Sequence, residues 1–258
     1  MSLILSEEKN GIGIIRFNRV DKFNSFNREM ALALQVILRK YANNKEIRAV
    51  LITGNGKAFC AGQDLAEAID ANGPGIRTIV NEHYNPIILQ LRKMEKPVIA
   101  AVNGVAAGAG ANIAIACDIV VAGNSASFIQ AFSKIGLVPD SGGTFFLPRL
   151  IGLQRASALM MLGDKLSATD AMQMGMIYKV FEDDKLQEEA MKMAETLAAM
   201  PTRGLWLTKN LLNESMGSDL NQQLTHEEMS QAAAGETYDY KEGVQAFLEK
   251  RKPAFKGM

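Results

Sequence analysis

Three short and mostly apolar runs, separated by longer segments of helical character, constrain the fold of this chain most. They are Ala49 to Thr53, Pro97 to Val102 and Asp118 to Ala122. Runs that are apolar without alternation are typical of strands buried on both faces of a parallel sheet. Because parallel neighbours are joined by right-handed helical crossovers, this order predicts an α/β fold.

The rest of the chain gives weaker signals. Strands are expected over 3–6 and 13–17, around a hairpin turn at Lys9-Asn-Gly, and Asn27 is expected to cap a helix that ends near Tyr41. A helix over 77–94 should break at Pro86, and further helices should cover 154–162, 167–174 and 185–200.

From Pro201 onward the pattern is helical almost throughout, and Ala232 to Glu236 is expected to join two helices. We therefore predict two regions, a core over 1–200 and a helical region over 201–258.

Composition excludes several classes of protein. The chain has 258 residues and zero formal net charge, which argues against a nucleic-acid partner. Because it has no basic and apolar leader and no apolar run of 18 residues, we expect a cytoplasmic protein without a membrane partner. Cys60 and Cys117 are expected to be buried free thiols, and the isolated His83 and His226 predict no metal site.

A stretch of almost pure glycine and alanine, Ala101 to Asn112, joins a strand-like run to a helix-like run. Small residues let backbone N–H groups approach a ligand closely, so the stretch is a candidate oxyanion or anion site. A dinucleotide fingerprint would place its third glycine at Ile113, and the Gly-Lys-Ser/Thr of a P-loop is absent. Close packing of a helix through small residues is the structural alternative.

Two further segments carry candidate groups. In Lys57 to Leu65, Asp64 is either a general base or, as we expect, a cap for the segment that follows. In Phe128 to Thr144, Asp140 lies between Pro139 and Ser-Gly-Gly. It is either a carboxylate facing an apolar pocket, with a pKa raised to suit proton abstraction, or the cap of a helix starting near Ser141.

Taken together, these segments resemble the crotonase superfamily, the enoyl-CoA hydratase/isomerase family, over essentially the whole chain. The order and spacing of the matching segments carry the resemblance: 18–24, 59–65, 101–110, 117–119, 136–139, 141–144 and 247–255. The resemblance implies a spiral of ββα units, followed by a C-terminal helical trimerisation region. It also implies that a homotrimer, or a hexamer made of two trimers, binds an acyl-CoA thioester.

In this family two backbone N–H groups hold the thioester oxygen, and by position they fall at Gln63 and Ala109. Hydratases of the family hold water with two glutamates, which would fall at Asn112 and Phe132 here. Since neither residue is a carboxylate, simple hydration is not expected. Asp140 matches the single catalytic acid of several of the family's isomerases.

The sequence around Asp140 is most similar to that of the isomerase of phenylacetate degradation. That enzyme rearranges a ring-1,2-epoxide to an oxepin and also shifts double bonds of enoyl-CoA. Two alternatives stay open. A dehalogenase would use Asp140 as its nucleophile and would need a nearby Trp, whereas the single Trp206 lies far along the chain. A non-catalytic protein of the same fold would bind acyl-CoA without turnover.

The resemblance also implies how coenzyme A is held, as part of the substrate and with no separate cofactor. Lys22 and Phe23 would lie near the nucleotide, and the backbone of Ala61, Asp64 and Leu65 would contact adenine. Phe255 and Lys256 would approach from a neighbouring subunit. For the lysines, plain surface charge is the alternative.

Overall fold

The computed structural model describes residues 2–258, and its strands form two sheets. The ten strands are β1 (Ile4–Lys9), β2 (Ile12–Phe17), β3 (Ala49–Gly54), β4 (Ala58–Cys60), β5 (Val98–Val102), β6 (Val105–Ala107), β7 (Ile119–Gly123), β8 (Ser127–Ile129), β9 (Lys165–Ser167) and β10 (Lys179–Phe181). The larger sheet has the order β1-β2-β3-β5-β7-β10 and the smaller has the order β4-β6-β8-β9. Within both sheets only the pairs β1–β2 and β8–β9 are antiparallel.

Twelve α-helices accompany these strands in the described residues. They are α1 (Arg28–Asn43), α2 (Leu65–Ile69), α3 (Gly75–Thr78), α4 (Asn85–Lys93), α5 (Ala109–Ile115), α6 (Gly143–Ile151), α7 (Leu153–Leu162), α8 (Ala168–Gln173), α9 (Leu186–Ala198), α10 (Thr202–Glu214), α11 (Leu220–Gly235) and α12 (Tyr238–Leu248). Short 3-10 turns cover Val20–Lys22 and Ala131–Ile135, and a π-helical segment covers Ile79–Tyr84.

The chain alternates between the two sheets, which confirms the predicted spiral of ββα units. The pairs β3/β4, β5/β6 and β7/β8 each place one strand in the larger sheet and the next in the smaller, and helices follow each pair. The neighbours within each sheet run parallel along this part of the chain. The carboxyl ends of β4, β6 and β8 therefore meet at one edge of the smaller sheet.

The strands of the larger sheet are buried on both faces, as their continuous apolar sequences predict. One set of side chains, such as Val50 and Ile52 of β3, packs into the main core between the sheets and helices. The alternate set, such as Ala49 and Leu51, packs against Leu186, Ala190, Ala194 and Ala198 of α9. Burial of both faces fixes the register, because a slip of one residue would exchange the two sets.

Several predicted bounds need correction. The first hairpin turns at Asn10-Gly11 as expected, but β1 extends to Lys9, because an exposed edge strand accepts polar residues such as Glu7 and Glu8. Asn27 caps α1 through a hydrogen bond from the Met30 N–H, as predicted.

Two predicted interruptions of helices are wrong in detail. The chain stays helical at Pro86, which occupies the first turn of α4, where its missing N–H has little cost. The irregularity lies before it, in the π-helical segment. Ala232 to Gly235 belong to α11, and only Glu236 and Thr237 separate it from α12, because alanine favours the helix. The helical region begins with α10 at Thr202, and its separation as a domain stays a prediction.

Both cysteines are buried free thiols, as expected, and burial raises the pKa of each to about 12. Among the helices of the described residues, none is long and apolar enough to cross a membrane.

Candidate active site

Three loops at the carboxyl ends of β4, β6 and β8 surround one cavity of about 460 Å³. Gln63 follows β4, Ala109 follows β6 and Asp140 follows β8, and all three line it. So do the residues expected near coenzyme A on the same chain: Lys22, Phe23, Ala61, Asp64 and Leu65. Sequence positions more than a hundred residues apart thus meet at a single site.

The loops after β4 and β6 touch each other through their backbones. Gly62 has a φ of +93°, and a Cβ there would lie 2.9 Å from the Ala107 carbonyl oxygen and 3.6 Å from the Ala109 nitrogen. Only glycine permits both this conformation and this approach. Gly110 also permits the close approach of the two loops, because a Cβ on it would lie 2.3 Å from the Cys60 carbonyl oxygen. The packing role considered for the glycine and alanine stretch is therefore real, and it brings the two loops together.

The N–H groups of Gln63 and Ala109 are both without an acceptor among residues 2–258. The bridge between the two chain segments uses the Phe26 N–H to the Gly62 oxygen and the Asp64 N–H to the Phe26 oxygen, which leaves the Gln63 N–H out. Ala109 is the first residue of α5, so its N–H has no acceptor within the helix. Two polar donors thus border the same cavity.

The Gln63 side chain is held by two neighbours. Its amide oxygen accepts a hydrogen bond of 2.9 Å from the Tyr84 hydroxyl, and its Nε2 donates one of 2.9 Å to Glu67. Tyr84 is fully buried, and burial raises the pKa of its hydroxyl well above the usual value, so it stays a donor. No sequence pattern predicts this contact, since Tyr84 lies in the irregular π-helical segment.

Asp64 is a cap, as expected, rather than a free base. Its carboxylate accepts from the Ala66 N–H at the start of α2 and pairs with the Arg19 guanidinium at 2.6 Å. Although burial opposes ionisation, the hydrogen bond from Arg19 and the Ala66 N–H hold the pKa of Asp64 below its usual value. A carboxylate that is paired in this way is a poor proton acceptor.

Among residues 2–258 Asp140 has no cationic partner, and its side chain does not cap a helix. Helix α6 begins at Gly143 without any side-chain cap, so the alternative reading of Asp140 as a cap is wrong. Burial raises the pKa of its carboxyl group, against the opposing effect of a 2.8 Å hydrogen bond from the Ser141 hydroxyl. A half-buried carboxyl group whose pKa is raised binds a proton more readily than an ordinary carboxyl group, which suits it to accept and return one.

Phe132 and Asn112 are the two positions at which the resemblance would place the glutamates of the family's hydratases. Phe132 lines the cavity and is 7% exposed. Asn112 is fully buried, and its Nδ2 donates a hydrogen bond of 2.9 Å to the carbonyl oxygen of Asp140. Asp21 and Asp64 are the other carboxylates that line the cavity; Asp21 is exposed and Asp64 is paired.

Phe255 and Lys256 lie outside this cavity, on the C-terminal tail. The backbone N–H groups of Lys256 and Gly257 donate to Asp239, and the Lys256 ammonium lies 4.2 Å from the centre of the Tyr238 ring. Within one chain Phe255 and Lys256 therefore lie against α12 and away from Lys22, although all three were expected near coenzyme A.

Comparison with known proteins agrees with this architecture. The family model described as enoyl-CoA hydratase/isomerase matches residues 7–258. A 1,2-epoxyphenylacetyl-CoA isomerase of Escherichia coli K12 is 46% identical, over 100% of this chain and 99% of its own length. A probable enoyl-CoA hydratase of Rhodobacter capsulatus is 39% identical, over 97% of this chain and 96% of its own.

Solved structures agree as well. The crystal structure of an enoyl-CoA hydratase from Bacillus anthracis superposes with a TM-score of 0.94 at 34% identity, with all of both chains covered. The chain belongs to the enoyl-CoA hydratase/isomerase family, the crotonase superfamily.

Proposed function

We propose that this enzyme isomerises acyl-CoA thioesters, with Asp140 as its single acid/base. The observation that carries the proposal is the set of side chains around Asp140: an amide at Asn112 and an aromatic ring at Phe132 stand where hydration needs carboxylates. Asp140 is thus the half-buried carboxyl group of the cavity that is free to move a proton.

The reaction would begin with the thioester oxygen bound by the N–H groups of Gln63 and Ala109. Removal of a proton from the carbon beside the carbonyl develops negative charge on that oxygen, and fixed donors stabilise it. One such donor typically contributes roughly 10²–10³-fold to the rate. Asp140 would take the proton and return it to another carbon of the same acyl group, so that no water is added.

Two substrates fit the proposal. One is a 3-enoyl-CoA, converted to a 2-enoyl-CoA, and the other is ring-1,2-epoxyphenylacetyl-CoA, converted to an oxepin. The name of the Escherichia coli relative supports the second. The cavity wall offers Phe132, Ile135 and Leu137 to an apolar acyl group. Reaction within one substrate needs no cofactor beyond the coenzyme A that the substrate carries.

For the nucleotide we propose Lys22 and Phe23, together with the backbone of Ala61, Asp64 and Leu65, at the cavity mouth. Phe255 and Lys256 would come from a neighbouring subunit of a homotrimer or hexamer. Exposed apolar residues on the C-terminal helices support self-association: Leu212, Leu220, Leu224, Met229 and Phe247. Light scattering on the purified protein tests this assembly, and a monomer at micromolar concentration would contradict it.

Product analysis tests the proposed reaction. The enzyme is incubated separately with a 3-enoyl-CoA, a 2-enoyl-CoA and the ring epoxide of phenylacetyl-CoA, and the products are followed by mass and ultraviolet absorption. Isomerisation leaves the mass unchanged and alters the absorption. A product heavier by one water would show a hydratase, and binding without any product would show a non-catalytic protein.

A further inference from the structure

A buried chain of amides connects three elements of the site. Gln130, which follows β8, donates from Nε2 to the Asn112 Oδ1 at 2.8 Å. Asn112, on α5, donates from Nδ2 to the carbonyl oxygen of Asp140 at 2.9 Å. Asn112 is fully buried and Gln130 is 3% exposed. The chain therefore runs from the end of a strand, through a helix, to the backbone of the proposed acid/base.

The backbone around Asp140 has few other restraints. Residues 133–138 are exposed, and neither a helix nor a strand includes Asp140. The next two residues, Ser141 and Gly142, have positive φ values of 51° and 72°. Besides Asn112, the Asp140 carbonyl oxygen accepts only the Gly143 N–H, at 2.9 Å, among the described residues. The orientation of this peptide depends on those two donors.

Asn112 fits its place closely. A Cβ on Gly143 would lie 2.4 Å from the Asn112 Nδ2, so glycine is required at that position to admit the amide. An ionised glutamate at position 112 would be longer and would carry acceptors only, so it could not donate to the Asp140 carbonyl. The local structure thus suits an amide and excludes the carboxylate of a hydratase.

The same helix carries one of the proposed oxyanion donors. Ala109 begins α5, and Asn112 lies three residues later on the same short helix. Helix α5 therefore links the proposed oxyanion donor, the Ala109 N–H, to the peptide of Asp140, which Asn112 contacts. A rigid helix fixes the distance between the bound thioester oxygen and the acid/base. Errors of about 1 Å in such distances can cost about 10²-fold in rate.

We propose that Asn112 is a positioning residue, which holds the Asp140 peptide at a fixed place relative to the Ala109 N–H and is itself oriented by Gln130. The inference rests on the proposed role of Asp140 as acid/base. Asn112 does not line the cavity, so it acts through Asp140 and not on the substrate.

The test compares Asn112→Leu and Gln130→Met with the wild-type enzyme. Both replacements fill similar space and remove the amide. Thr53→Val is the matched control, because Thr53 is also fully buried and donates to a backbone carbonyl, that of Ala101, outside the cavity. The readouts are kcat and KM for the isomerisation, the Kd for butyryl-CoA, thermal unfolding, and hydrogen exchange over residues 139–144.

For Asn112→Leu we expect kcat to fall by about 10²-fold while KM and the Kd change by less than about 3-fold. Hydrogen exchange over 139–144 should become faster. Gln130→Met should lower kcat by about 10-fold, again with little change in KM and the Kd. In this variant Asn112 can still donate to the Asp140 carbonyl, but its side chain is no longer oriented by the Gln130 amide. Thr53→Val should leave kcat unchanged. If Asn112→Leu does not fold, Gln130→Met decides the question by the same measurements.

Two results would overturn the inference. One is unchanged kcat or unchanged hydrogen exchange in a folded Asn112→Leu protein. The other is a joint loss of kcat, butyryl-CoA binding and thermal stability, which would mean a general structural role. Failure of the proposed function is separate, since it would show as the absence of isomerisation by the wild-type enzyme.

Discussion

Two parts of the cavity wall differ in how they are built. The loops at Gly62 and Ala109 consist mostly of small residues that are buried or half-buried, and they present backbone N–H groups to the cavity. The segment from Phe132 to Asp140 is largely exposed, and it contributes side chains to the cavity. A backbone donor does not depend on which side chain is present, whereas a side-chain acid is replaced by a single substitution. The backbone donors of the first part suit the binding of the thioester oxygen, a step common to many substrates. The side chains of the second part suit the selection of one reaction over another.

The largest effect is expected from Asp140→Asn. The amide keeps the shape of the carboxyl group but cannot accept the proton, so kcat should fall by about 10²–10⁴-fold. Steady-state isomerisation of a 3-enoyl-CoA measures this. Asp70→Asn, an exposed carboxylate at the end of α2, serves as the control. Near-normal turnover by Asp140→Asn would remove Asp140 from the mechanism.

A backbone donor can be tested as well, by Ala109→Pro. Proline lacks the N–H and is tolerated in the first turn of a helix, so it removes the proposed donor where α5 begins. The expected loss of kcat is about 10²–10³-fold. Leu153→Pro is the matched control, because Leu153 also starts a helix directly after a glycine of positive φ. Equal activity of the two variants would contradict the oxyanion role.

Ser141→Ala should alter the dependence of kcat on pH. Asp140 must be ionised to accept a proton, so kcat should rise with pH through a pKa that burial raises above the ordinary value. The Ser141 hydroxyl lowers that pKa, and its loss should therefore move the rise toward higher pH. Ser127→Ala, which removes a buried hydroxyl without a partner, should not move it. A shift toward lower pH would contradict this assignment.

Tyr84→Phe tests whether the Gln63 side chain helps to fix the Gln63 N–H. One neutral hydrogen bond contributes about 1 kcal/mol, so kcat should fall by about 3- to 10-fold. The control is Tyr41→Phe, which loses a comparable bond from a fully buried tyrosine to the Glu7 carbonyl, outside the cavity. A loss that is no larger than the control's would mean that Tyr84 only packs.

Lys22→Ala should have the smallest effect. An ion pair between an exposed lysine and a phosphate contributes little binding free energy in water. Because Lys22 is exposed, its loss should raise KM by about 3-fold and leave kcat unchanged. Salt should reduce the difference, since it screens exposed charges. Lys45→Ala gives the comparison at an exposed position outside the cavity. A difference that persists at high salt would argue against a phosphate contact.

The elements that sequence could predict differ from those it could not in the length of the local pattern that specifies them. The long apolar strands and the alternation of strands with helices were predictable, because their signals span five or more residues. The α1 cap was predictable because Asn27 directly precedes an amphipathic run. Strands β4, β6 and β8 have three residues each and were missed, although they position the whole site. The contacts of Asn112 and Tyr84 were also missed, since they join residues 28 and 21 positions apart, respectively, and have no pattern in the chain. Local sequence left Asp140 open between a proton-transferring carboxylate and a helix cap, and the resemblance favoured the first. The structure adds how its carboxyl group is held.

Exchange of the α-hydrogens of phenylacetyl-CoA in D₂O, followed by NMR, would show directly whether Asp140 removes a proton from the carbon beside the thioester carbonyl. This thioester can form an enolate but has no carbon–carbon double bond outside its aromatic ring that could be shifted, so exchange reports proton removal without isomerisation. We expect exchange with the wild-type enzyme, and none above background with Asp140→Asn, which should still bind the thioester. Equal exchange by both proteins, or none by the wild-type enzyme with the thioester bound, would contradict this role of Asp140.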